Sequence, residues 1–303
     1  MKKFIFISLL LNLCLANELI SPIPQSLEFD KQKALLGKKL YMDKSLSKDG
    51  TISCNSCHLV DNYGVDNKPT SPGVNQAQGV FNSPSSFNAV FNFVQFWDGR
   101  AKNLKEQAKG PLLNPIEHGL NETEVVQKVK SNKEYQKSFD EIYGEINFDN
   151  IADAIAEFEK TLITPNSPFD RYLRGDENAI SEQAKRGYAA FVANGCTSCH
   201  HGVNVGGNMY QKFGIFIQYP NQDLQGLFDR TKREEDKMVF KVPSLRNVEK
   251  TAPYFHDGTM PALEQAVQFM AYYQLGKFLE DETVNDIVAF LKTLTGEYNE
   301  KIQ

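Results

Sequence analysis

The sequence is short of the residues that most often carry chemistry. Its 303 residues include five cysteines, five histidines, six methionines and a single tryptophan. Cysteine at this density does not make a disulfide-dense scaffold. After residue 16 no apolar stretch is long enough to cross a bilayer as a helix, which argues against a later membrane span. Strand-like alternation is scarce, so the fold class is mainly α. Nor is there a basic excess: 33 lysines and arginines face 38 acids, a formal net charge of -5, which argues against nucleic acid as a partner.

The N-terminus has its own pattern. Lys2 and Lys3 precede an apolar run from Phe4 to Leu15 that is too short to span a bilayer and is followed by Ala16. This reads as a signal peptide over 1–16, so the mature chain is exported, without Cys14 and with no membrane span left. The remaining length of about 287 residues favours two domains, and loss of the two leader lysines takes the charge to about -7.

Apolar spacing predicts a helix over 30–41, with Ala34, Leu35, Leu36, Leu40 and Tyr41 on one face, and another over 151–162 through Ile151, Ala154, Ile155, Phe158 and Leu162. A third opens at Ser181 as N-cap, passes Tyr188, Phe191 and Val192, and stops at Asn194-Gly195. A fourth covers 281–294 through Val284, Ile287, Val288, Leu291 and Leu294. Residues 64–84 are rich in Gly, Pro, Asn and Ser and read as loop. The run Thr164-Pro165-Asn166-Ser167-Pro168 sets a boundary between domains 17–166 and 167–303. Both halves follow the order helix, stop, cysteine pair, and no other obvious sequence identity links them.

In an exported chain four cysteines would by default form two disulfides. Their spacing argues otherwise, because each pair is followed at once by histidine: Cys54-Asn55-Ser56-Cys57-His58 and Cys196-Thr197-Ser198-Cys199-His200. This is the attachment pattern of a c-type haem, with two thiols placed to form thioethers and the imidazole carried beneath the ring as an iron ligand. The alternatives are a dithiol redox pair, a zinc site and a chance match; with cysteine this scarce, two complete matches in an exported chain argue against accident. The sixth iron position then decides the function. His201, directly after His200, cannot easily reach the opposite face of the same ring and reads as a surface or propionate-contacting residue. Met209, Met238, Met260 and Met270 are the thioether candidates; Met270 ends an apolar helical stretch over 262–273, where core filling is an equal reading.

Five segments together resemble a known family. They are Cys54 to His58, Phe96-Trp97-Asp98-Gly99-Arg100, Gln107 to Glu117 with its Lys-Gly-Pro-Leu-Leu-Asn-Pro core, Cys196 to His200, and Thr251 to Gly258 with Pro-Tyr-Phe-His-Asp-Gly. Over nearly all the mature chain these residues resemble the bacterial di-haem cytochrome c peroxidases, a family that includes relatives modifying protein-bound tryptophan.

The resemblance implies two cytochrome c-like haem domains packed together in a periplasmic protein, often a homodimer. It implies that the haem of His58 is where peroxide is reduced. The haem of His200 and Met270 would receive electrons from a small one-electron donor such as a mono-haem cytochrome c, and Trp97 would lie between the two. Met270 stands where the tryptophan-modifying relatives have tyrosine, which favours the peroxidase.

Gln107 and Glu117 match residues over the open face of the first haem. There a carboxylate shifts the proton that splitting a peroxide O–O bond requires. Asn82, Thr251 and Pro253 match a calcium site between the domains, made of one amide oxygen and two backbone carbonyls. Val74 departs from the family pattern, which in many members places an iron-closing histidine there. Valine cannot ligate iron, so the first haem is expected to be open when oxidised, unless another side chain such as His118 closes it. A plain di-haem electron carrier and a tryptophan-modifying enzyme are the competing functions.

Overall fold

The computed structural model describes residues 19–298; the signal peptide expected over 1–16 lies outside them. Eleven α-helices are present among these residues: α1 Lys31–Met42, α2 Cys54–Cys57, α3 Leu104–Leu113, α4 Glu122–Ser131, α5 Lys133–Ile142, α6 Phe148–Glu159, α7 Pro168–Leu173, α8 Glu182–Ala193, α9 Leu227–Thr231, α10 Leu263–Leu275 and α11 Asp281–Lys292. Strand is confined to β1 Tyr210–Lys212 and β2 Val239–Lys241, an antiparallel pair with Tyr210 opposite Lys241. No helix among the described residues is long and apolar enough to cross a membrane.

Local chemistry sets the helix ends. The Asp30 side chain accepts from the N–H groups of Gln32 and Lys33 at the start of α1, and Ser181 accepts from Ala184 at the start of α8. Asn194 ends α8, and Gly195 follows at φ 85, a left-handed turn that suits glycine. Pro168 opens α7 behind the Ser167 cap, at the end of the run 164–168. Three ends depart from the apolar spacing. Helix α6 starts earlier, where Asn147 caps it, and gives way after Glu159 to a turn; α11 stops at Lys292.

The two halves pack alike. In the first, α1 crosses α6 so closely that a Cβ on Gly37 would lie 1.8 Å from the Ala154 carbonyl oxygen and 3.0 Å from Phe158 Cβ. In the second, α8 crosses α11 with the same distances from Gly187 to the Asp286 oxygen and Phe290 Cβ. Tyr41 and Phe158 anchor one core, and Phe169, Phe191 and Phe290 the other. The chain ends cross between them: Ile20 is buried in the second core, while Tyr298 packs edge-on against Phe87 of the first, 4.8 Å between ring centroids.

This pairing corrects the reading that nothing beyond the order of elements links the halves. Pro84-Ser85-Ser86-Phe87-Asn88 and Pro243-Ser244-Leu245-Arg246-Asn247 are counterparts, with Asn88 at φ 60 and Asn247 at φ 61. Further along, Phe96-Trp97-Asp98-Gly99 matches Phe255-His256-Asp257-Gly258. Phe96 and Phe255 have φ 68 and 73, and isolated bridges join Gln95 to Ala101 and Tyr254 to Met260. Trp97 and His256 are thus equivalent positions. They meet edge-on between the halves, 6.3 Å between centroids.

Candidate haem sites

The first cysteine pair is a single helical turn. Ser53 caps α2 reciprocally with Ser56, and the His58 N–H donates to the Cys54 carbonyl at 3.0 Å. Tyr41, fully buried, fixes this turn by donating to the His58 carbonyl at 2.9 Å. The second pair follows Gly195 as a 3-10 turn, with the His200 N–H donating to the Cys196 carbonyl at 2.9 Å. All four cysteines are free and partly exposed. Burial pushes the Cys54 thiol far up and those of Cys57 and Cys196 to about 11, so the unattached sulfurs are held as neutral thiols.

The histidines are matched too. Both keep a buried Nδ1 without a hydrogen-bond partner. Burial lowers the pKa of His58, and that of His200 to about 4, so each ring is neutral and able to ligate. Equivalent carbonyls work against that shift: Gly64 and Pro84 beside His58, Val205 and Pro243 beside His200. A cavity lined by Cys196, Cys199, His200 and Met270 has Phe191 and Leu291 among its apolar walls. Two thiols, an imidazole and a thioether around one apolar cavity fit a c-type haem with His/Met ligation. Around Cys54, Cys57 and His58 the thiols and imidazole recur with a carboxylate nearby in place of the thioether.

That carboxylate is Glu117, close enough to Cys54 and Cys57 to raise their pKa values. Burial raises its own pKa, opposed by the Asn114 amide, which donates to Oε1 at 2.6 Å, and by the Arg100 charge. Gln107 is partly buried on α3, two turns before Asn114 and so on the same helix face. Val74 is buried, and its N–H donates to the Glu117 carbonyl at 3.0 Å, which makes the loop a support for Glu117. His118 is buried, not on the surface, with Nδ1 2.6 Å from the Leu46 carbonyl. His201 Nδ1 lies 3.1 Å from the Thr197 carbonyl.

Trp97 lines the second cavity, as do Asn82, Thr251 and Pro253. Its Nε1–H donates to the Asn82 carbonyl at 2.9 Å, and the Asn82 N–H donates to the His256 carbonyl at 2.8 Å. The Asn82 amide nitrogen donates to the Lys68 and Pro69 carbonyls, which leaves its oxygen as the acceptor a cation would use. Among the described residues no group of three or more His, Cys, Asp or Glu side chains could hold a metal ion.

Sequence reasoning passed over three buried charged sites. Arg246 and Asp170 form a wholly buried ion pair at 2.7 Å. Glu159 is buried with Oε2 unpartnered, and burial raises its pKa to about 8. Lys241 is buried on β2. No sequence signal distinguishes the latter two from surface charges; Asp170 was legible only as the third residue after the Ser167 cap.

Residues 31–178 match the family described as di-haem cytochrome c peroxidase, and residues 184–295 match cytochrome c. The cytochrome c peroxidase Ccp of Escherichia coli K12 is 49% identical over 294 residues, covering 95% of this chain but 63% of that protein. The chain therefore spans less than two thirds of that relative. The cytochrome c551 peroxidase of Nitrosomonas europaea is 47% identical over 285 residues, covering 93% of this chain and 85% of that protein. A solved structure of a MauG-like protein associated with microbial copper homeostasis superposes with a TM-score of 0.78 at 27% identity, over 94% of this chain and 96% of the other.

Proposed function

The chain belongs to the di-haem cytochrome c peroxidase family, and from that premise we propose that it reduces hydrogen peroxide to water with two electrons from a small one-electron donor such as a mono-haem cytochrome c. The family implies two haem c groups. One observation carries the reading: the two attachment motifs are furnished differently. Met270 shares a cavity with His200, whereas a partly buried carboxylate, Glu117, stands by Cys54 and Cys57. A plain electron carrier has no use for that asymmetry, and methionine at position 270 disfavours tryptophan modification.

When bound, the haems supply iron for peroxide binding at one site and a store for single electrons at the other. The chain's own residues do the rest. Glu117, held by Asn114, takes the proton from the inner peroxide oxygen and returns it to the outer one, which leaves as water. Its raised pKa suits both halves of that transfer. Gln107 orients the substrate from the same face. Trp97 lies on the electron route between the haems. Val74 offers no ligand, so no side chain at position 74 would close the first iron in the fully oxidised enzyme. Asn82, Thr251 and Pro253 would hold calcium through oxygen atoms, next to Trp97. The enzyme is exported and works in the periplasm.

The test is the electron paramagnetic resonance spectrum of the oxidised holoprotein, followed by stoichiometric peroxide, for wild type and Glu117→Gln. One high-spin haem, turnover without prior reduction, and a loss of about 10²-fold or more in the variant with both haems attached are expected. Near-normal turnover in Glu117→Gln, or His/His ligation at the first haem, would remove the reading.

A further inference from the structure

We propose that Lys241 is the anion-binding residue of the second haem site, holding a propionate carboxylate of the haem attached at Cys196 and Cys199. The inference rests on the reading that those two thiols carry a haem.

The second cavity is one-sided in charge. Its lining includes Lys212, Lys241 and Arg246 and not one aspartate or glutamate. Arg246 already has its partners. It pairs with Asp170 at 2.7 Å and donates to the Val203 and Ser21 carbonyls at 3.0 and 2.9 Å. Lys212 is exposed and served by water.

Lys241 has neither advantage. It is 5% exposed, and among the described residues its ammonium makes no hydrogen bond or ion pair. Desolvation, with no acid to oppose it, lowers its pKa to about 8. Removing a charge from water without a partner is costly, and buried charges in folded proteins are paired. The cation therefore requires an anion from outside the chain. A haem held in this cavity brings two carboxylates on flexible arms.

The backbone places Lys241 for that role. Its N–H donates to the Trp97 carbonyl at 2.8 Å, and its strand partner is Tyr210, so the residue is pinned between the halves. Lys241 is also the counterpart of Asn82 in the duplicated segment: Phe81-Asn82-Ser83-Pro84 matches Phe240-Lys241-Val242-Pro243. Both residues meet Trp97, Asn82 through the indole N–H and Lys241 through the carbonyl. Where the first half offers a neutral amide, the second offers a fixed positive charge.

A cation beside a haem favours the reduced state, which carries one more negative charge. The experiment is an optically followed potentiometric titration of the two-haem holoprotein, comparing wild type with Lys241→Met, Lys241→Gln and Lys241→Arg. The Met and Gln variants are expected to shift the His200/Met270 haem at least about tenfold toward the oxidised state, a fall of about 59 mV for a one-electron couple. The Arg variant is expected to stay near wild type, with His/Met absorbance retained in all. Unmoved midpoints in Met and Gln overturn the proposal. If those variants do not mature, redox-difference infrared spectra of wild type with ¹³C-labelled haem carboxyls decide. An ionised carboxylate whose stretches change with reduction is expected; a protonated or freely hydrated carboxyl overturns it. A haem count of one would instead strike the underlying assignment, whereas two haems with an unmoved midpoint remove only the role of Lys241.

Discussion

Replacing Gly187 with alanine would drive a methyl group into the backbone of α11. The new Cβ would lie 1.8 Å from the Asp286 carbonyl oxygen, 2.5 Å from its carbon and 3.0 Å from Phe290 Cβ. Non-bonded carbon contacts settle at about 3.5 Å, so α8 and α11 must part by more than about 1 Å. Overpacking of this kind costs about 1–3 kcal/mol and sometimes more. Here the obstacle is a helix backbone that no rotamer change can move aside, which puts the cost at the upper end. Alanine offsets about 1 kcal/mol of it, because glycine is the poorer helix former. The net expectation is a loss of about 2 kcal/mol, or roughly 30-fold in the unfolding constant. The crossing also bears on the second haem site, since Phe191, Ile287 and Leu291 on these helices line its cavity. Guanidinium unfolding of the holoprotein, followed by haem absorbance, measures the change, and Gly37→Ala should give a similar loss in the first half. If Gly187→Ala is neutral or stabilising, the close approach does not limit the fold and the argument fails.

Three other outcomes are expected. Glu159, buried and with its pKa raised to about 8, binds its proton more tightly in the folded state than in the unfolded one. Its contribution to stability is therefore full below the ordinary glutamate pKa and is lost as pH rises toward 8, at up to about 1.4 kcal/mol per pH unit. Glu159→Gln should flatten that decline in denaturation measured between pH 5 and 8, and an unchanged slope would clear Glu159. Asp170→Asn leaves the Arg246 guanidinium buried beside a neutral amide and should cost about 3–5 kcal/mol in chemical denaturation, whereas a cost under about 1 kcal/mol would mean that the pair is dispensable. Trp97→Phe, which keeps the ring but loses the N–H to Asn82, should slow electron transfer between the haems in stopped-flow reduction; equal rates would take Trp97 off the route.

The strongly marked parts of the molecule were legible in the sequence. Asp30, Ser181 and the Asn194-Gly195 stop each announce a helix end by a single local interaction, and the structure places the ends there. Both cysteine motifs were readable from spacing, and Met270, singled out by family resemblance, lines the same cavity as His200. Helices α4 and α5 were passed over because each buries only two apolar side chains, Val125 and Val129 or Tyr135 and Phe139, which is too thin a stripe to show as a period. Helix α3 carries Pro111 within it, which reads as a break. The internal duplication was legible only as a shared order of elements, because its parts are out of step. Gly37 and Gly187, Cys54 and Cys196, and Trp97 and His256 are separated by 150, 142 and 159 residues, so no single offset aligns them. Glu159 and Lys241 were invisible for another reason: burial of a lone charge is a property of the packed fold, with no local pattern to mark it.

The crossed ends of the described chain tie the two cores to each other. The first core receives its last ring when Tyr298 settles on Phe87, and the second core holds Ile20, made long before its neighbours there. Neither core is completed by residues of its own half alone. Loss of the Tyr298 ring would strip Phe87 of its edge-on partner, so a defect in the second half of the chain would be felt in the core against which Cys54 packs.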